Sequence, residues 1–421
     1  MSSLLLIPVQ VPERERYLVV FAGSRDHYQV ALALQETGRL HRLINELYLP
    51  AMPVWMQRLA ALIAGRERSS SRVHAELPAY RVQISWLALM ASLLNRALPS
   101  TRFVRWKDAA LGRACGRMAT GHHLPVVAYS YYASYVFEQM PANLQKIIFQ
   151  VHPHPAAVRR ILLEELQHCP ASEGSLSLEN ELNFPAVTLE RLSREALCAN
   201  HVITPSSFAK QTLVEAGVNS DRIVVVPYGI DSGSFYPKSF DNQNTSYSLR
   251  LIFVGSIVQR KGLSYLLEAV RQLRGKQVEL VLVGRGARDD VLLDTFSDVP
   301  FRLVWNASRE ELVQELQEAD VFIFPSLVES FAHVILEAMS VGLPVITTTN
   351  TAGPDLLEEG RTGFVGPIRD VDFLVRKIRW FLANPSEVSA MGRACQKEAA
   401  KRTWSRFRSE IREALDNFRL K

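Results

Sequence analysis

Short apolar, β-branched runs alternate with helix-periodic stretches along most of this chain of 421 residues. In the second half, five such strand-like runs lie at residues 251–254, 278–283, 301–304, 321–324 and 344–347. Each is followed by a helix-like stretch, and this order is typical of parallel sheets that are covered by helices on both faces. The sequence therefore predicts an α/β fold built on parallel sheets.

The first half shows the same alternation less regularly, with strand-like runs at residues 17–22, 126–129, 146–150, 201–204 and 223–227 and mainly helices and connections at residues 159–200. Single cores stop growing near roughly 250 to 300 residues, so a chain of this length predicts more than one domain. We predict two doubly wound, Rossmann-like domains that face each other across a cleft. Their bounds are residues 1–228 and 250–401, with a linker at 229–249 and a C-terminal helix at 402–421.

The terminal helical stretches at residues 387–401 and 404–420 have no strand of their own to cover. We expect them to pack elsewhere, including back on the first domain.

Composition excludes two classes of protein. A hydrophobic fraction of 48% and a charged fraction of 22% are those of a globular chain, neither disordered nor polytopic in a membrane. The four cysteines lie far apart and suggest neither a zinc site nor a disulfide framework, and the N-terminal residues lack the pattern of an export signal. We therefore expect a cytoplasmic location, with any membrane contact peripheral.

Two glutamates stand at a strand-to-helix junction in the second half. Within one helix, the eight steps from Glu329 to Glu337 would leave the carboxylates about 80° apart, but both can face one cleft if Glu329 precedes the helix. One can then accept ribose hydroxyls while the other meets a sugar. A helix start near His333 or Val334 would direct free N–H groups toward a diphosphate. The alternative is two exposed glutamates on an amphipathic helix.

A second candidate site is the loop in which Gly255 and Gly262 flank Arg260 and Lys261. Glycines let the backbone approach a ligand closely, and two fixed cations can stabilise a departing diphosphate without a metal ion. An ordinary surface pair of cations is the alternative.

The second half also carries a series of family motifs. They are PYGID (227–231), VGSIVQRKGL (254–263), LVGRG (282–286), SREEL (308–312), ADVFIFPS (319–326) and GRTGFVGP (360–367). With the paired glutamates, they make residues 202–401 resemble the family-4 retaining glycosyltransferases of the two-domain GT-B fold, whereas the first domain resembles them only weakly. The resemblance implies transfer of a hexose-type sugar, with retention of configuration, from a nucleotide diphosphate donor to a glycan or lipid-linked acceptor.

The resemblance also implies residue roles. Lys261 corresponds to a diphosphate ligand, and Ser256 stands where a second cation is common, so that Arg260 takes that role. Glu337 would bind ribose, while Glu329 and the loop 351–355 hold the sugar and His152 touches it from the first domain. Ala332 replaces a frequent glycine and narrows the sugar pocket. The remaining implied donor-site residues are Gly255, Gly284, Arg285, Asn306, Ser330, Phe331, His333 and Val334, with Trp305 beside Asn306 more typical of a core position.

No metal or other cofactor is expected. His152 and His154 could form half of a metal site, but the sequence offers no third ligand, and a substrate contact by a loop histidine is simpler. Asp370 and Asp372 have the spacing of a metal-binding pair, yet they precede a helical stretch, where acids are favoured as caps.

The loop after the first strand contains Arg25, Asp26 and His27, which either reach the acceptor or simply cap the next helix. Tyr131, Tyr132 and Tyr135 either stack on a sugar or belong to the core.

The first domain also carries a basic region. Residues 47–118 hold eleven Lys or Arg against three acids, and the same region includes helix-periodic apolar residues at 50–64 and 82–95. This pattern predicts either an interfacial surface for anionic lipid or an ordinary solvated face with core helices. We expect no nucleic-acid partner.

Two other functions stay open on the sequence alone. One is a sugar-nucleotide epimerase or phosphorylase of similar architecture. The other is a non-catalytic nucleotide-sugar-binding protein.

Overall fold

A computed structural model describes residues 15–58, 72–231, 233, 235–238 and 249–419. Two parallel sheets organise these residues. The first has the order β3-β2-β1-β4-β5-β6-β7 and the second the order β10-β9-β8-β11-β12-β13. The strands of the first sheet are β1 (Tyr17–Val20), β2 (Leu40–Asn45), β3 (Val82–Ile84), β4 (Val126–Tyr129), β5 (Lys146–Phe149), β6 (His201–Thr204) and β7 (Ile223–Val225). Those of the second are β8 (Leu249–Ile257), β9 (Val278–Arg288), β10 (Arg302–Trp305), β11 (Val321–Phe324), β12 (Val345–Thr348) and β13 (Gly363–Gly366).

The helices connect these strands and cover the sheets. In the first half they are α1 (Gln29–Gln35), α2 (Trp86–Ala97), α3 (Thr101–His122), α4 (Ala133–Phe137), α5 (Pro155–His168), α6 (Glu173–Leu176), α7 (Asn180–Asn183), α8 (Ala186–Arg194) and α9 (Ser207–Glu215). In the second half they are α10 (Leu263–Arg271), α11 (Asp290–Thr295), α12 (Arg309–Glu318), α13 (His333–Val341), α14 (Gly353–Leu356), α15 (Val371–Ala383), α16 (Pro385–Ala399) and α17 (Trp404–Arg419).

The predicted α/β fold is confirmed, but three strands were not predicted. These are β2, β3 and β13. β3 has only three residues, and β13 begins and ends with glycine, so neither shows a strong apolar pattern. A Cβ on Gly363 would lie 2.1 Å from the carbonyl oxygen of Val345 on β12, and the close strand approach therefore requires glycine there.

The chain divides into two compact units. Unit 1 comprises Met1–Ile148 with Cys198–Asn200, and unit 2 comprises Phe149–Leu197 with His201–Lys421. Unit 1 has an aromatic core in which the ring centroids of Phe21 and Tyr129 lie 4.7 Å apart. In unit 2, Phe253 and Phe322 each pack against Phe324 beneath the second sheet's carboxyl end.

The terminal helix α17 returns to strands from the first half of the chain, as predicted. Its Phe418 stacks on His201 of β6 with 4.1 Å between ring centroids, and its Phe407 contacts Phe149 of β5. At the start of α17, a Cβ on Gly229 would meet the backbone of Thr403 at 2.5 Å, so the PYGID motif needs its glycine for this close approach.

Asp370 has the predicted capping role, because its carboxylate accepts a hydrogen bond of 2.7 Å from the backbone N–H of Phe373 at the start of α15. The predicted linker lies largely outside the described residues. Within the described ranges, no helix combines the length and apolarity needed to cross a bilayer.

Candidate donor-binding site

The carboxyl ends of β8, β9 and β10 lie side by side in unit 2. Gly255 pairs with Gly284, which in turn pairs with Trp305. A Cβ on Gly284 would come within 2.6 Å of the Trp305 ring, so glycine is required where the strands end. The next residue, Asn306, has a φ of 55° and donates its backbone N–H to the carbonyl oxygen of Gly284 over 2.8 Å. This edge therefore brings the predicted donor residues Gly255, Gly284 and Asn306 together.

Two further predicted donor residues join this edge. The hydroxyl of Ser256 donates to the carbonyl oxygen of Arg285 over 3.3 Å. Trp305 is only half-buried, with the guanidinium of Arg288 at 5.1 Å from its ring, so it packs on Gly284 without being a fully buried core residue. The physical reason is that β10 is an edge strand, which leaves one side of its last residue uncovered.

The loop after β8 is fixed against the segment that follows β11. A 3-10 turn spans Gln259–Lys261, and Gly262 follows with a φ of 74°. A Cβ on Gly262 would lie 2.0 Å from the carbonyl oxygen of Pro325, so this position accepts only glycine without rearrangement. The carbonyl oxygen of Arg260 accepts hydrogen bonds from the Leu327 N–H at 3.0 Å and the Ser326 hydroxyl at 3.2 Å.

These contacts bring Arg260, Lys261 and Glu329 together. Lys261 Nζ forms an ion pair with Oε2 of Glu329, and Arg260 approaches the same oxygen at 3.2 Å. Arg260 also contacts Glu179 at 2.8 Å. Lys261 is only 9% exposed, and its ammonium lies 5.4 Å from the Phe324 ring.

The charges of this cluster set its protonation states. Burial lowers the pKa of Lys261, while the carboxylate of Glu329 opposes that effect. Burial alone would raise the pKa of Glu329, but Lys261 and Arg260 hold it at about 2. Glu329 is therefore ionised throughout the physiological range.

His152 lies close enough to Glu329 for its charge also to lower the pKa of that carboxyl. His154 instead belongs to the packing of α5: its N–H donates to the Thr212 hydroxyl at 2.9 Å, and its Nε2 lies 3.0 Å from the Ser193 carbonyl oxygen. Burial lowers the pKa of His154. Within the described part of the chain, no three His, Cys, Asp or Glu side chains are grouped so that they could hold a metal ion.

Helix α13 begins at His333, as the sequence predicted. Its N-cap residue, Ala332, has a left-handed backbone with a φ of 63° and supplies no side-chain cap. The buried hydroxyl of Ser330 has no hydrogen-bond partner among the residues that the structure describes. The rings of Phe331 and His333 pack against Tyr228 of the PYGID motif, with centroids 5.2 and 4.8 Å away. The start of α13 therefore combines uncapped N–H groups with a buried hydroxyl.

Glu337 differs from Glu329 in its electrostatic environment. Burial raises the pKa of Glu337 to about 7, and Arg309 opposes that effect only in part. Its carboxyl is thus partly protonated at neutral pH, whereas that of Glu329 is not. Val334, between them in the predicted donor set, is half-buried.

The side chains of the loop after β12 are already engaged within the fold. The Thr351 hydroxyl donates to the Thr348 carbonyl oxygen at 2.8 Å and accepts from the Gly353 N–H at 2.9 Å. Asp355 accepts from both the backbone N–H and the hydroxyl of Ser207. The sugar contacts predicted for this loop would therefore have to come largely from its backbone.

Comparison with known proteins supports the resemblance that the sequence motifs indicated. Residues 238–401 match the family model described as glycosyl transferases group 1. The sulfoquinovosyl transferase SQD2 of Arabidopsis thaliana is 30% identical over 226 residues, which are 51% of this chain and 44% of that protein. The amylovoran biosynthesis glycosyltransferase AmsK of Erwinia amylovora is 30% identical over 188 residues, which are 42% of this chain and 46% of that protein. The chain thus spans less than half the length of these relatives.

Solved structures match almost the whole chain. The sucrose-phosphate synthase of Thermosynechococcus elongatus superposes with a TM-score of 0.65 at 18% identity and covers 96% of this chain and 99% of its own. HepE of Anabaena, solved in complex with UDP, gives a TM-score of 0.59 at 15% identity and covers 96% of this chain and 100% of its own. At these identities the likeness shows the GT-B fold.

Outside the matched residues, α5 supports the loop after β8 through a carboxylate that sequence reasoning missed. Glu165 is fully buried and accepts hydrogen bonds from Gln259 Nε2 at 2.6 Å, the Tyr265 hydroxyl at 2.8 Å and Arg369 Nε at 2.7 Å. The amide oxygen of Gln259 in turn accepts from the Ser264 N–H at 3.0 Å. Glu165 thereby fixes the turn that carries Arg260 and Lys261.

The predicted acceptor loop in unit 1 follows β1 as a 3-10 turn, Arg25–Tyr28. Asp26, His27 and Tyr28 have φ values of 43°, 50° and 66°, an unusual run of left-handed residues without glycine. The Tyr129 hydroxyl donates to Asp26, and burial raises the pKa of Asp26 to about 7. The loop therefore combines backbone strain with a carboxyl that titrates near neutral pH.

Of the three tyrosines after β4, Tyr132 is buried, whereas Tyr131 and Tyr135 are half-buried. A Cβ on Gly112 of α3 would meet the Tyr135 Cβ at 2.5 Å. Tyr132 and Tyr135 thus serve the packing of unit 1, which is the core reading of this cluster.

Proposed function

We propose that the protein is a retaining, metal-independent glycosyltransferase that moves a hexose-type sugar from a nucleotide diphosphate donor to an acceptor. The ion cluster of Arg260, Lys261 and Glu329 carries this proposal. Cations fixed in a poorly solvated site stabilise negative charge as it develops on a leaving diphosphate, because they need no reorganisation during the reaction.

The cluster suggests how donor binding would redistribute charge. The carboxylate of Glu329 is the counter-ion of both cations. A diphosphate would take over those cations, and Glu329 would then be available to accept sugar hydroxyls opposite His152. In this proposal Glu329, His152, Lys261 and Arg260 are the catalytic residues.

The nucleoside would bind along the ends of β8, β9 and β10. Glu337 would accept the ribose hydroxyls, and the backbone at Gly284, Arg285 and Asn306 would hold the base. The structures of HepE with UDP and with UDP-glucose belong to a protein of the same fold and support a nucleotide-sugar donor. The unpartnered hydroxyl of Ser330 and the uncapped start of α13 suit the phosphates.

The acceptor in this proposal is a glycan or lipid-linked acceptor that Arg25, Asp26 and His27 help to bind, and the location is cytoplasmic. Relatives named for amylovoran and colanic acid biosynthesis support a role in polysaccharide biosynthesis. Metal independence rests on the two cations: EDTA should leave the transfer rate nearly unchanged, whereas a rate lost to EDTA and restored by Mn²⁺ would refute this part of the proposal.

A screen of nucleotide sugars for thermal stabilisation tests the donor class, because a ligand that binds the native state raises its apparent stability. The stabilising donor should then be consumed only when an acceptor is present or by slow hydrolysis. Rapid turnover without acceptor would favour an epimerase, phosphate-dependent turnover a phosphorylase, and binding without turnover a non-catalytic protein.

The two glutamates should give different defects. Glu337→Ala should mainly weaken donor binding, and Glu329→Ala should mainly lower kcat, because only the second carboxylate is assigned to the reacting sugar. Glu310→Ala, at an exposed position on α12, is the matched control. Near-normal kinetics for both site variants would contradict the assignment.

A further inference from the structure

Helix α2 in unit 1 buries small side chains and exposes large apolar ones, which is the reverse of an ordinary amphipathic helix. Ala88, Leu89 and Ala91 are buried, so the buried side of the helix consists largely of small residues. Four large apolar side chains point to solvent at i, i+1, i+4 and i+7, and we call them the outer face of α2: Trp86 (51% exposed), Leu87 (53%), Met90 (45%) and Leu93 (57%). A core helix would bury these side chains, because they gain most from leaving water.

Neighbouring elements extend this exposed apolar surface. Leu98, directly after α2, is 67% exposed, and Val104 and Trp106 are exposed in the first turns of α3. Helix α3 packs against α2, so these side chains belong to the same region of unit 1. Contiguous apolar surface of this kind marks an interaction site.

The same two helices are strongly basic. Between residues 86 and 122 there are six Lys or Arg and a single acid, Asp108. Asp108 is buried and lies 3.5 Å from Lys107. The other five cations are not offset by acids on these helices: Arg96, Arg102, Arg105, Arg113 and Arg117.

The structure describes only part of the basic region around residues 50–72. Arg66 and Arg68 lie outside the described residues, and Arg72 approaches Glu46 at 3.5 Å. Val54 and Trp55, however, are both more than half exposed.

We propose that the outer face of α2, with the cations Arg96, Arg102 and Arg105, docks unit 1 onto an anionic lipid bilayer. Charge complementarity selects this occupant. A second copy of the chain would bring the same arginines together across a symmetric interface, and a nucleic acid would leave the large apolar side chains in water. A bilayer surface provides both a hydrocarbon boundary and negative headgroups.

The helix lies on the bilayer and does not cross it. Twelve residues of α-helix measure about 18 Å, whereas the hydrocarbon core is about 30 Å thick. This inference goes beyond the proposed activity, since it concerns where the enzyme meets its acceptor and depends on no residue of the donor site.

Vesicle flotation of the full chain tests the proposal without donor or turnover. Vesicles of equal parts phosphatidylcholine and phosphatidylglycerol should carry the protein upward at low salt, and phosphatidylcholine alone should carry much less. The variant Leu87→Ser/Met90→Ser/Leu93→Ser should reduce the bound fraction at least about tenfold, because three anchoring side chains are lost. Arg96→Glu/Arg102→Glu/Arg105→Glu should reduce it at least about tenfold as well.

The matched control replaces three exposed apolar residues of unit 2, Val187→Ser/Val214→Ser/Val291→Ser, and should float like the wild type. Thermal melting checks that every variant is folded. Failure to float on the mixed vesicles at low salt, equal flotation on both vesicle types, or equal loss in the control would overturn the proposal. If the wild type stays unbound but forms a dimer that the α2 variant dissociates, the occupant is a second copy.

Discussion

The loops that follow β1 and β8 occupy equivalent places, each after the first strand of its part of the chain and each leading into a helix. Their backbones differ. In the β8 loop, Gly262 adopts the left-handed backbone and leaves Arg260 and Lys261 free of strain. In the β1 loop, Asp26, His27 and Tyr28 adopt it themselves. In the β8 loop a glycine therefore adopts the left-handed backbone, whereas in the β1 loop residues with functional side chains adopt it.

The loops also differ in charge. The β8 loop holds two cations with a carboxylate whose pKa is about 2, so this carboxylate stays ionised at every physiological pH. The β1 loop holds a carboxyl whose pKa is about 7 beside a tyrosine hydroxyl. This contrast is consistent with the proposed roles, in which the β8 loop stabilises a leaving diphosphate and the β1 loop helps to bind the acceptor.

The largest expected effect comes from removing the fixed charge. Lys261→Met should lower transfer by roughly a hundredfold or more, because a preorganised cation at the leaving diphosphate is lost. Lys276→Met, at an exposed turn, is the control and should keep wild-type rates. Steady-state kinetics with the donor found by the nucleotide-sugar screen measure both. Equal activity of the two variants would show that transfer does not need the charge of Lys261.

The glycine of the β8 loop can be tested against a second glycine with the same backbone. Gly262→Ala should destabilise the protein by at least about 3 kcal/mol, because its Cβ would clash with the Pro325 carbonyl oxygen. Gly275 has a φ of 77° but no atom within 4 Å of its Cβ position, so Gly275→Ala should cost only about 1 kcal/mol. Denaturant titration gives both values, and similar losses would show that the close approach is not the deciding factor.

Asp26→Asn should flatten the pH dependence of stability. Since folding raises the pKa of Asp26 from 3.8 to about 7, its contribution is fully present below pH 3.8 and is lost as the pH rises through 7. The wild type should therefore lose up to about 4 kcal/mol more than Asp26→Asn over that interval. Unfolding titrations at several pH values test this. Parallel profiles for the two proteins would contradict a buried, protonated Asp26.

The smallest effect concerns strain in the β1 loop. His27→Gly should raise the free energy of unfolding by up to about 1 kcal/mol, because glycine adopts a positive φ without a Cβ penalty. Glu36→Gly, at a helical φ of −55° after α1, should instead lower stability by about 0.5 to 1 kcal/mol. Thermal unfolding compares the pair. Destabilisation by both would mean that the loop is not strained.

Much of unit 2 could be predicted because its signals are local. The apolar run of β11, the glutamates and the helix start at His333 follow one another within a few residues, so pattern and order suffice. β13 escaped prediction because its glycines meet a demand from the neighbouring strand β12, which no local pattern reveals.

The residues that contact the β8 loop show more clearly what could not be predicted from the sequence. Glu179 contacts Arg260 from 81 residues away, and Glu165 contacts Arg369 across 204 residues. Both acids lie in a stretch that the sequence describes only as helices and connections. Their role depends on tertiary packing, and a single sequence carries no signal for such distant pairs. The proposed roles of His152 and of the glutamates stay predictions until the variants are measured.

The placement of α5 and α6 in unit 2 bears on how the protein can be divided for expression. A fragment that starts at the linker, near residue 229, would lack Glu165, Glu179 and His152. It would also expose Leu327 and Val328, which pack in an apolar cluster with Leu162 and Leu176. Such a fragment should be prone to aggregation and should bind nucleotides poorly even though it contains every family motif from Val254 onward. A fragment for expression should instead begin before Phe149 and include every residue from there to the end of α17.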